Sequence, residues 1–262
     1  MSSYPKRGRV LVTGASSGIG AAYATRLAKL GYSLTLVARR KDKLEAVARD
    51  LRANWAADVQ VVVGDLESPA FLSDLEDRFD RDPFVGLINN AGAGGLGPIA
   101  SSSAREIERN IKLNVIALAR LSFCALTSFK RQGEGLLINI GSVASFSPSP
   151  AAAVYSGSKA FVLNFTRSVQ LELATSPIRV QLVLPGPVQT EFFSSQGMDG
   201  SVFPASSYLS ADQLVDAAMS GLEKGEAISI PSLQDMAVWE DVEDLRKQFL
   251  ARTLSGVVAD RY

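Results

Sequence analysis

Seven short apolar runs recur along the chain, and amphipathic stretches separate them. The runs are "RVLVTG", "SLTLVA", "VQVVVGD", "VGLINNAG", "GLLINIGS", "RVQLVLPG" and "AISIPS". They are rich in Val, Ile and Leu with little apolar–polar alternation, which is the pattern of strands covered on both faces. Stretches such as "GIGAAYATRLAKLG" and "DKLEAVARDLRAN" carry the helical pattern between them. Strand and helix taking turns predicts right-handed βαβ crossovers: an α/β fold with one doubly wound parallel sheet and helices on both faces. No repeat or linker divides the 262 residues, and 47% of them are hydrophobic, so residues 1–262 are read as a single domain with a sizeable core.

Composition removes several function classes. The 27 basic and 27 acidic side chains cancel, with no basic stripe for nucleic acid. Histidine is absent, which rules out imidazole bases and His-ligated zinc, and the lone Cys124 rules out an internal disulfide or a cysteine-rich metal site. Proton transfer is left to Tyr, Lys, Asp or Glu. The start, "MSSYPKRGRVLVTG", has too short an apolar run for a signal peptide. The most apolar helical window, "LNVIALARLSFCALTSF", is interrupted by Arg120 and reads as shorter than a bilayer span, hence as a buried or subunit-facing helix. The expectation is a soluble cytoplasmic protein with no membrane partner.

The first strand runs into "TGASSGIG" and then a helix. Gly14, Gly18 and Gly20 allow a tight turn and close backbone approach, Ser16 and Ser17 add hydroxyls, and the N-terminus of the following helix, with Ile19 beside it, offers free N–H groups to a pyrophosphate. At the end of the second strand, where a carboxylate would bind the ribose hydroxyls of NAD, stand Arg39 and Arg40, which suit the 2′-phosphate of NADP(H). Asp65 and Leu66 close the third strand; Asp65 fits either an adenine amino group or a cap on the helix beginning near Pro69. Two loops lie at the carboxyl end of the strands, where open α/β sheets bind ligands: "GAGGLGPIASSS", and a long one, about 187–210, read as a substrate lid with Phe192, Phe193, Phe203 and Tyr208.

The stretch "SPSPAAAVYSGSK" supplies the acid–base chemistry. Ser149 and Pro150 read as the N-cap and first residue of a helix running to about Ala174. Tyr155 and Lys159, four apart, share one face. A phenol titrates near 10 in isolation, and a fixed ammonium beside it favours the phenolate. Ser142, closing the fifth strand, fits a hydrogen bond to a substrate carbonyl. Asn114, an amide on an apolar helix face, needs a partner such as backbone, a buried water or a proton-carrying water chain.

Taken together, "TGASSGIG", "NNAG", Asn114, Ser142, "YSGSK" and "PGPVQTEF" resemble the short-chain dehydrogenase/reductase family over about residues 9 to 192. The resemblance implies a Rossmann-type domain with a sheet of about seven strands. Tyr155 would be the acid/base, and Lys159 would lower its pKa and hold the nicotinamide ribose. Ser142 would orient the carbonyl and Asn114 would hold a relay water. Asn89 with Asn90, Ala91 and Gly92 would shape the adenine side, while Pro185, Gly186, Val188 and Thr190 would line the nicotinamide. It further implies NADP(H) as cofactor, a small carbonyl or alcohol substrate, and a homodimer or homotetramer built on two long helices. The leading expectation is an NADPH-dependent carbonyl reductase or alcohol dehydrogenase for hydrophobic substrates. A 3-oxoacyl-thioester reductase and a non-catalytic NADPH-sensing protein are the alternatives. The tail after Trp239 carries no motif and is expected against a neighbouring subunit.

Overall fold

A computed structural model describes residues 7–196 and 202–262. The chain divides into two compact units, Met1–Pro231 and Ser232–Tyr262.

In the first unit all seven apolar runs become strands of one sheet: β1 (Arg9–Thr13), β2 (Ser33–Ala38), β3 (Val59–Val63), β4 (Gly86–Asn89), β5 (Gly135–Ile140), β6 (Ile178–Val183) and, after two short paired strands β7 (Val188–Gln189) and β8 (Leu209–Ser210), β9 (Ile228–Ser229). Their order is β3-β2-β1-β4-β5-β6-β9, and every neighbouring pair is parallel. The strand side chains alternate between two cores. Val10, Val12, Leu34, Leu36, Ile88 and Ile138 face α1 (Gly18–Lys29), α2 (Lys41–Trp55) and α7 (Ala211–Glu223). Leu11, Val37, Leu87 and Leu137 face α3 (Pro69–Arg81), α5 (Leu118–Gln132) and α6 (Ala153–Glu172). Both faces are covered, so polar residues cannot alternate along the strands; that is why the runs read as continuous.

Helix starts follow local chemistry. Ser68 caps α3 by accepting from the Phe71 N–H, so Asp65, which accepts from the Glu67 N–H at 3.0 Å, is not the cap. Ser103 with Glu106 and Ser210 with Gln213 form capping boxes at α4 (Ala104–Ile111) and α7. The start of α6 differs from expectation. Ser149–Ala152 forms a turn closed by the Ala152 N–H on the Ser149 carbonyl at 3.1 Å, and the Ala151 carbonyl accepts from the Gly97 N–H. With that carbonyl engaged by the loop after β4, the helix begins at Ala153 and ends at Glu172.

From α4 the chain passes through a π-helical segment, Lys112–Ala117, into α5 without a break. The stretch Ala104–Gln132 is, contrary to the sequence reading, long and apolar enough to cross a bilayer by length and composition, with a window of mean hydropathy 1.4. Here α5 lies on β5 and α3, with Arg120 bound to Glu76 through Nε at 2.7 Å and Nη2 at 2.6 Å.

The second unit contains α8 (Ala237–Thr253), on which Trp239 is buried while Leu245, Phe249 and Leu250 are exposed.

The sheet order sets the site. The chain winds outward from β1 to β3 and then crosses back to β4 beside β1. Strand order therefore reverses between Thr13 and Asn89, and the crevice beyond those carboxyl ends is where such a sheet takes a ligand.

Candidate active site

The glycine-rich turn occupies that crevice. Gly14 and Gly18 adopt φ of 66° and 57°, which residues with a Cβ rarely accept. A Cβ on Gly20 would collide with the Gly14 carbonyl oxygen and lie 2.5 Å from Nδ2 of Asn90. Gly20→Ala is therefore expected to cost at least ~2 kcal/mol, because the nearest obstacle is backbone; thermal denaturation checks this. Asn90 ties the turn to β4 through Nδ2, which donates to the carbonyls of Thr13 at 2.9 Å and Gly14 at 3.3 Å, while the N–H groups of Asn90 and Ala91 both reach Oγ1 of Thr13 at 3.0 Å.

Ser17 heads α1 without capping it; its hydroxyl accepts from Arg40 at 2.7 Å, as does that of Ser16 at 3.1 Å. Ile19 packs on the first core. Of the two arginines, Arg40 reaches the glycine turn, whereas Arg39 turns to Glu67 at 3.1 Å and Asp65 at 3.6 Å. The Leu66 side chain is buried in the second core. Asn89 also points away from the crevice: its amide donates to Leu118 O, Ser122 Oγ and Asn139 Oδ1, and Asn139 in turn donates to Thr166 Oγ1. That fully paired network fastens β4, β5, α5 and α6 beneath the site. Asn89 was expected on the adenine side, and this is a correction.

Across the crevice, the first turns of α6 carry Tyr155 and Lys159, while Val162, Leu163 and Val169 further along it are buried. The Tyr155 hydroxyl hydrogen-bonds the Ser142 side chain. Ser142 Oγ also accepts from the Ala144 N–H at 3.1 Å, which fixes its position. Lys159 is buried, donates through Nζ to the Ile140 carbonyl at 2.9 Å, and lies 5.9 Å from the Tyr155 ring centre. Burial pulls the Lys159 pKa down from 10.5 to about 8. Tyr155 was expected to be acidified by this ammonium, but burial raises its pKa, with the Ser142 hydrogen bond opposing. The phenol is consequently protonated at neutral pH.

Asn114 sits in the π segment, a distortion that often marks functional positions. Its Oδ1 accepts from the Ala93 N–H at 2.8 Å; its Nδ2 donates to the Ala93 carbonyl, to Asn110 Oδ1 and to Ser158 Oγ. Ser158 Oγ donates to the Tyr155 carbonyl at 2.7 Å, so the amide links the loop after β4 to the helix turn holding Tyr155 and Lys159. Gly92 lies beside both, since a Cβ there would stand 3.3 Å from Asn114 Oδ1 and 3.7 Å from Lys159 Nζ. The sequence reading missed Asn110, which is buried and bonds the carbonyls of Ala93 and Gly94; its place one turn before Asn114 was the available signal.

The loop after β6 closes the third side. The Pro185 carbonyl accepts from the Val143 N–H at 3.0 Å, next to Ser142, and Gly186 follows it. Val188 is buried on β7, and the Thr190 methyl packs where a Cβ on Gly18 would come within 2.9 Å. Of the lid, 197–201 lie outside the described residues. In the described part, Phe192 meets Tyr155 with ring centres 5.4 Å apart, and Phe193, Phe203 and Tyr208 join it in edge-on contacts of 5.3 to 6.3 Å. The aromatic residues singled out in the sequence thus form one cluster above the phenol.

Residues 8–199 match the family model described as short chain dehydrogenase. A short-chain dehydrogenase from Sphingobium yanoikuyae, solved in complex with NADPH, is 40% identical and superposes with a TM-score of 0.93 over 97% of this chain and 99% of that one. The bulky-bulky ketone specific alcohol dehydrogenase from Comamonas testosteroni is 34% identical with a TM-score of 0.87, over 97% of this chain and 98% of that one. A very-long-chain 3-oxoacyl-CoA reductase from Anas platyrhynchos is 32% identical over 69% of this chain, a match that spans only 60% of that relative's length. The matched motifs, the reversed parallel sheet and the Ser142–Tyr155–Lys159 grouping agree: the chain belongs to the short-chain dehydrogenase family.

Proposed function

We propose that the protein is an NADP(H)-dependent carbonyl reductase, reversible as an alcohol dehydrogenase, acting on bulky apolar ketones and secondary alcohols. The observation that carries this reading is the protonated Tyr155 hydroxyl bonded to Ser142 beneath an aromatic lid. The crevice fits a dinucleotide: Gly14, Gly18 and Gly20 hold the turn in a close-packed shape that no Cβ would allow, and Ser16, Ser17, Arg39, Arg40 and the N-terminus of α1 supply anion donors. When bound, the nicotinamide supplies or takes the hydride. Tyr155 gives its proton to the carbonyl oxygen, Ser142 holds that oxygen in line, and Lys159 places a positive charge where phenolate develops. Asn114 and Asn110 hold the loop after β4 against α6, which keeps this grouping in register. Exposed Ile116, Phe123, Phe161 and Leu171 on the π segment, α5 and α6 support association of copies through these helices.

The substrate class is supported by the lid's aromatic cluster and by the ketone enzyme among the similar structures. A 3-oxoacyl-thioester reductase is the second reading, favoured by the relative that carries that name. Against it, no basic residue stands between Thr190 and Asp212 to hold a phosphopantetheine carrier. Following NADPH absorbance with a panel of bulky aryl ketones, small ketones and a 3-oxoacyl-CoA tests both. Consumption only with the thioester would replace the first reading with the second, and consumption with none would remove both.

Cofactor choice provides a separate check. Arg39→Asp is expected to weaken NADPH by about ten- to a hundredfold, the worth of a charge-assisted hydrogen bond. NADH should change far less, and equal losses in fluorescence titrations would remove the phosphate contact.

A further inference from the structure

One ion-pair group joins the cofactor crevice to the lid. Glu191, between Thr190 and Phe192, accepts from Arg40 Nη1 at 2.5 Å and from Lys43 Nζ. The same Arg40 donates to the hydroxyls of Ser16 and Ser17 on the glycine-rich turn. Two cations therefore meet on the lid's own carboxylate, and one of them, Arg40, also holds the two hydroxyls of the glycine-rich turn. The next residue, Phe192, covers Tyr155, and the turn beyond is closed by the Ser195 N–H on the Glu191 carbonyl at 2.8 Å and the Gln196 amide on the Phe192 carbonyl at 2.8 Å.

We propose that Glu191 is an internal stand-in for the adenosine 2′-phosphate, holding Phe192 over Tyr155 until that phosphate displaces it. The inference rests on the NADP(H) reading above. A carboxylate has one charge and two oxygens, enough for Arg40 and Lys43. A phosphate monoester carries nearly two charges and three acceptor oxygens, enough for both cations and the serine hydroxyls together. Arg40, Lys43 and Glu191 are each close to half exposed, so their mutual attraction is weak in water and open to competition. The closure selects against NAD(H), which has no group to compete with Glu191. It also couples the two ends of the site, because the charge that binds the adenosine end releases the segment covering the reacting end.

Adenosine 2′-monophosphate is the probe, since it occupies the adenosine end and is too short to touch the lid from the nicotinamide side. In the wild-type protein it is expected to speed hydrogen exchange in the peptide spanning 191–196, while adenosine 5′-monophosphate leaves exchange unchanged. In Glu191→Gln the same peptide is expected to exchange fast without ligand, and 2′-monophosphate to bind about tenfold more tightly by calorimetry. Unchanged exchange in Glu191→Gln, or exchange indifferent to 2′-monophosphate in the wild type, overturns the proposal. The parent reading fails on a different result: wild-type protein that neither binds NADPH nor consumes it with any ketone.

Discussion

Replacing Tyr155 by Phe is expected to lower turnover by about 10²–10⁴-fold while leaving NADPH affinity and the fold nearly unchanged. Only one hydroxyl is removed. The ring still packs under Phe192, and Ser142 is still held by the Ala144 N–H. Lost stability is therefore limited to the order of one hydrogen bond, about 1 kcal/mol, partly returned because a buried hydroxyl no longer has to be desolvated. The loss falls on kcat because the phenol acts only as charge builds on the carbonyl oxygen. The raised pKa fixes the pH dependence. Below 10.0, the ordinary value for a tyrosine, the hydroxyl is protonated, so ketone reduction should be flat through neutrality and decline only in the alkaline range. Alcohol oxidation needs the phenolate and should rise with pH across the same range. Stopped-flow reduction and oxidation assays over pH, with a fluorescence titration of NADPH, test these points. Wild-type turnover in Tyr155→Phe would remove the residue as the acid.

The sheet was legible because its strands are covered on both faces, which leaves an unbroken Val, Ile and Leu signature that survives without any tertiary knowledge. The Tyr155–Lys159 pair was legible for a related reason: four-residue spacing on a helix fixes a shared face. What the sequence concealed depends on contacts between distant segments. Asn89 and Asn90 are adjacent and chemically identical. Strand pleating sends Asn89 into the network with Ser122 and Asn139, and Asn90 emerges where the strand ends, toward Thr13 and Gly14. Arg39 and Arg40 diverge in the same way, one toward Glu67 and the other toward Ser16 and Glu191. The start of α6 moved because the Gly97 N–H takes the Ala151 carbonyl, a partner 54 residues away by the numbering and invisible to any capping rule. The balance at Tyr155 was misjudged for a physical reason. Sequence spacing reports the nearby ammonium, but not the burial that pushes both Tyr155 and Lys159 toward their neutral forms.

That burial makes Lys159 the residue at which function and stability conflict. Its ammonium is buried, is bonded to the Ile140 carbonyl, and titrates at about 8 against an ordinary 10.5. Holding the charged form in the folded state at pH 7 therefore costs roughly 3 kcal/mol. Methionine matches the aliphatic stem and carries no charge, but it leaves the Ile140 carbonyl without this donor, a loss of about 1 kcal/mol. Lys159→Met should accordingly be more stable than the wild type at pH 7, by ~2 kcal/mol, or about 4–8 °C in Tm. The sign with pH follows from a folded-state pKa below the unfolded one. The penalty is present in full below about 8, shrinks as pH rises from there toward 10.5, and vanishes once the side chain is neutral in both states. The Tm difference between variant and wild type should therefore close at alkaline pH, and taking the difference cancels titrations common to both proteins. Turnover should fall at least ~10²-fold, because the charge beside Tyr155 is gone where phenolate forms. Conserving the charge is the control: Lys159→Arg keeps a buried cation, so it should gain no stability at any pH. A Lys159→Met protein that melts below the wild type at pH 7 would mean that the ammonium stabilises the fold, and the account of a charge kept for catalysis at the expense of stability would be wrong.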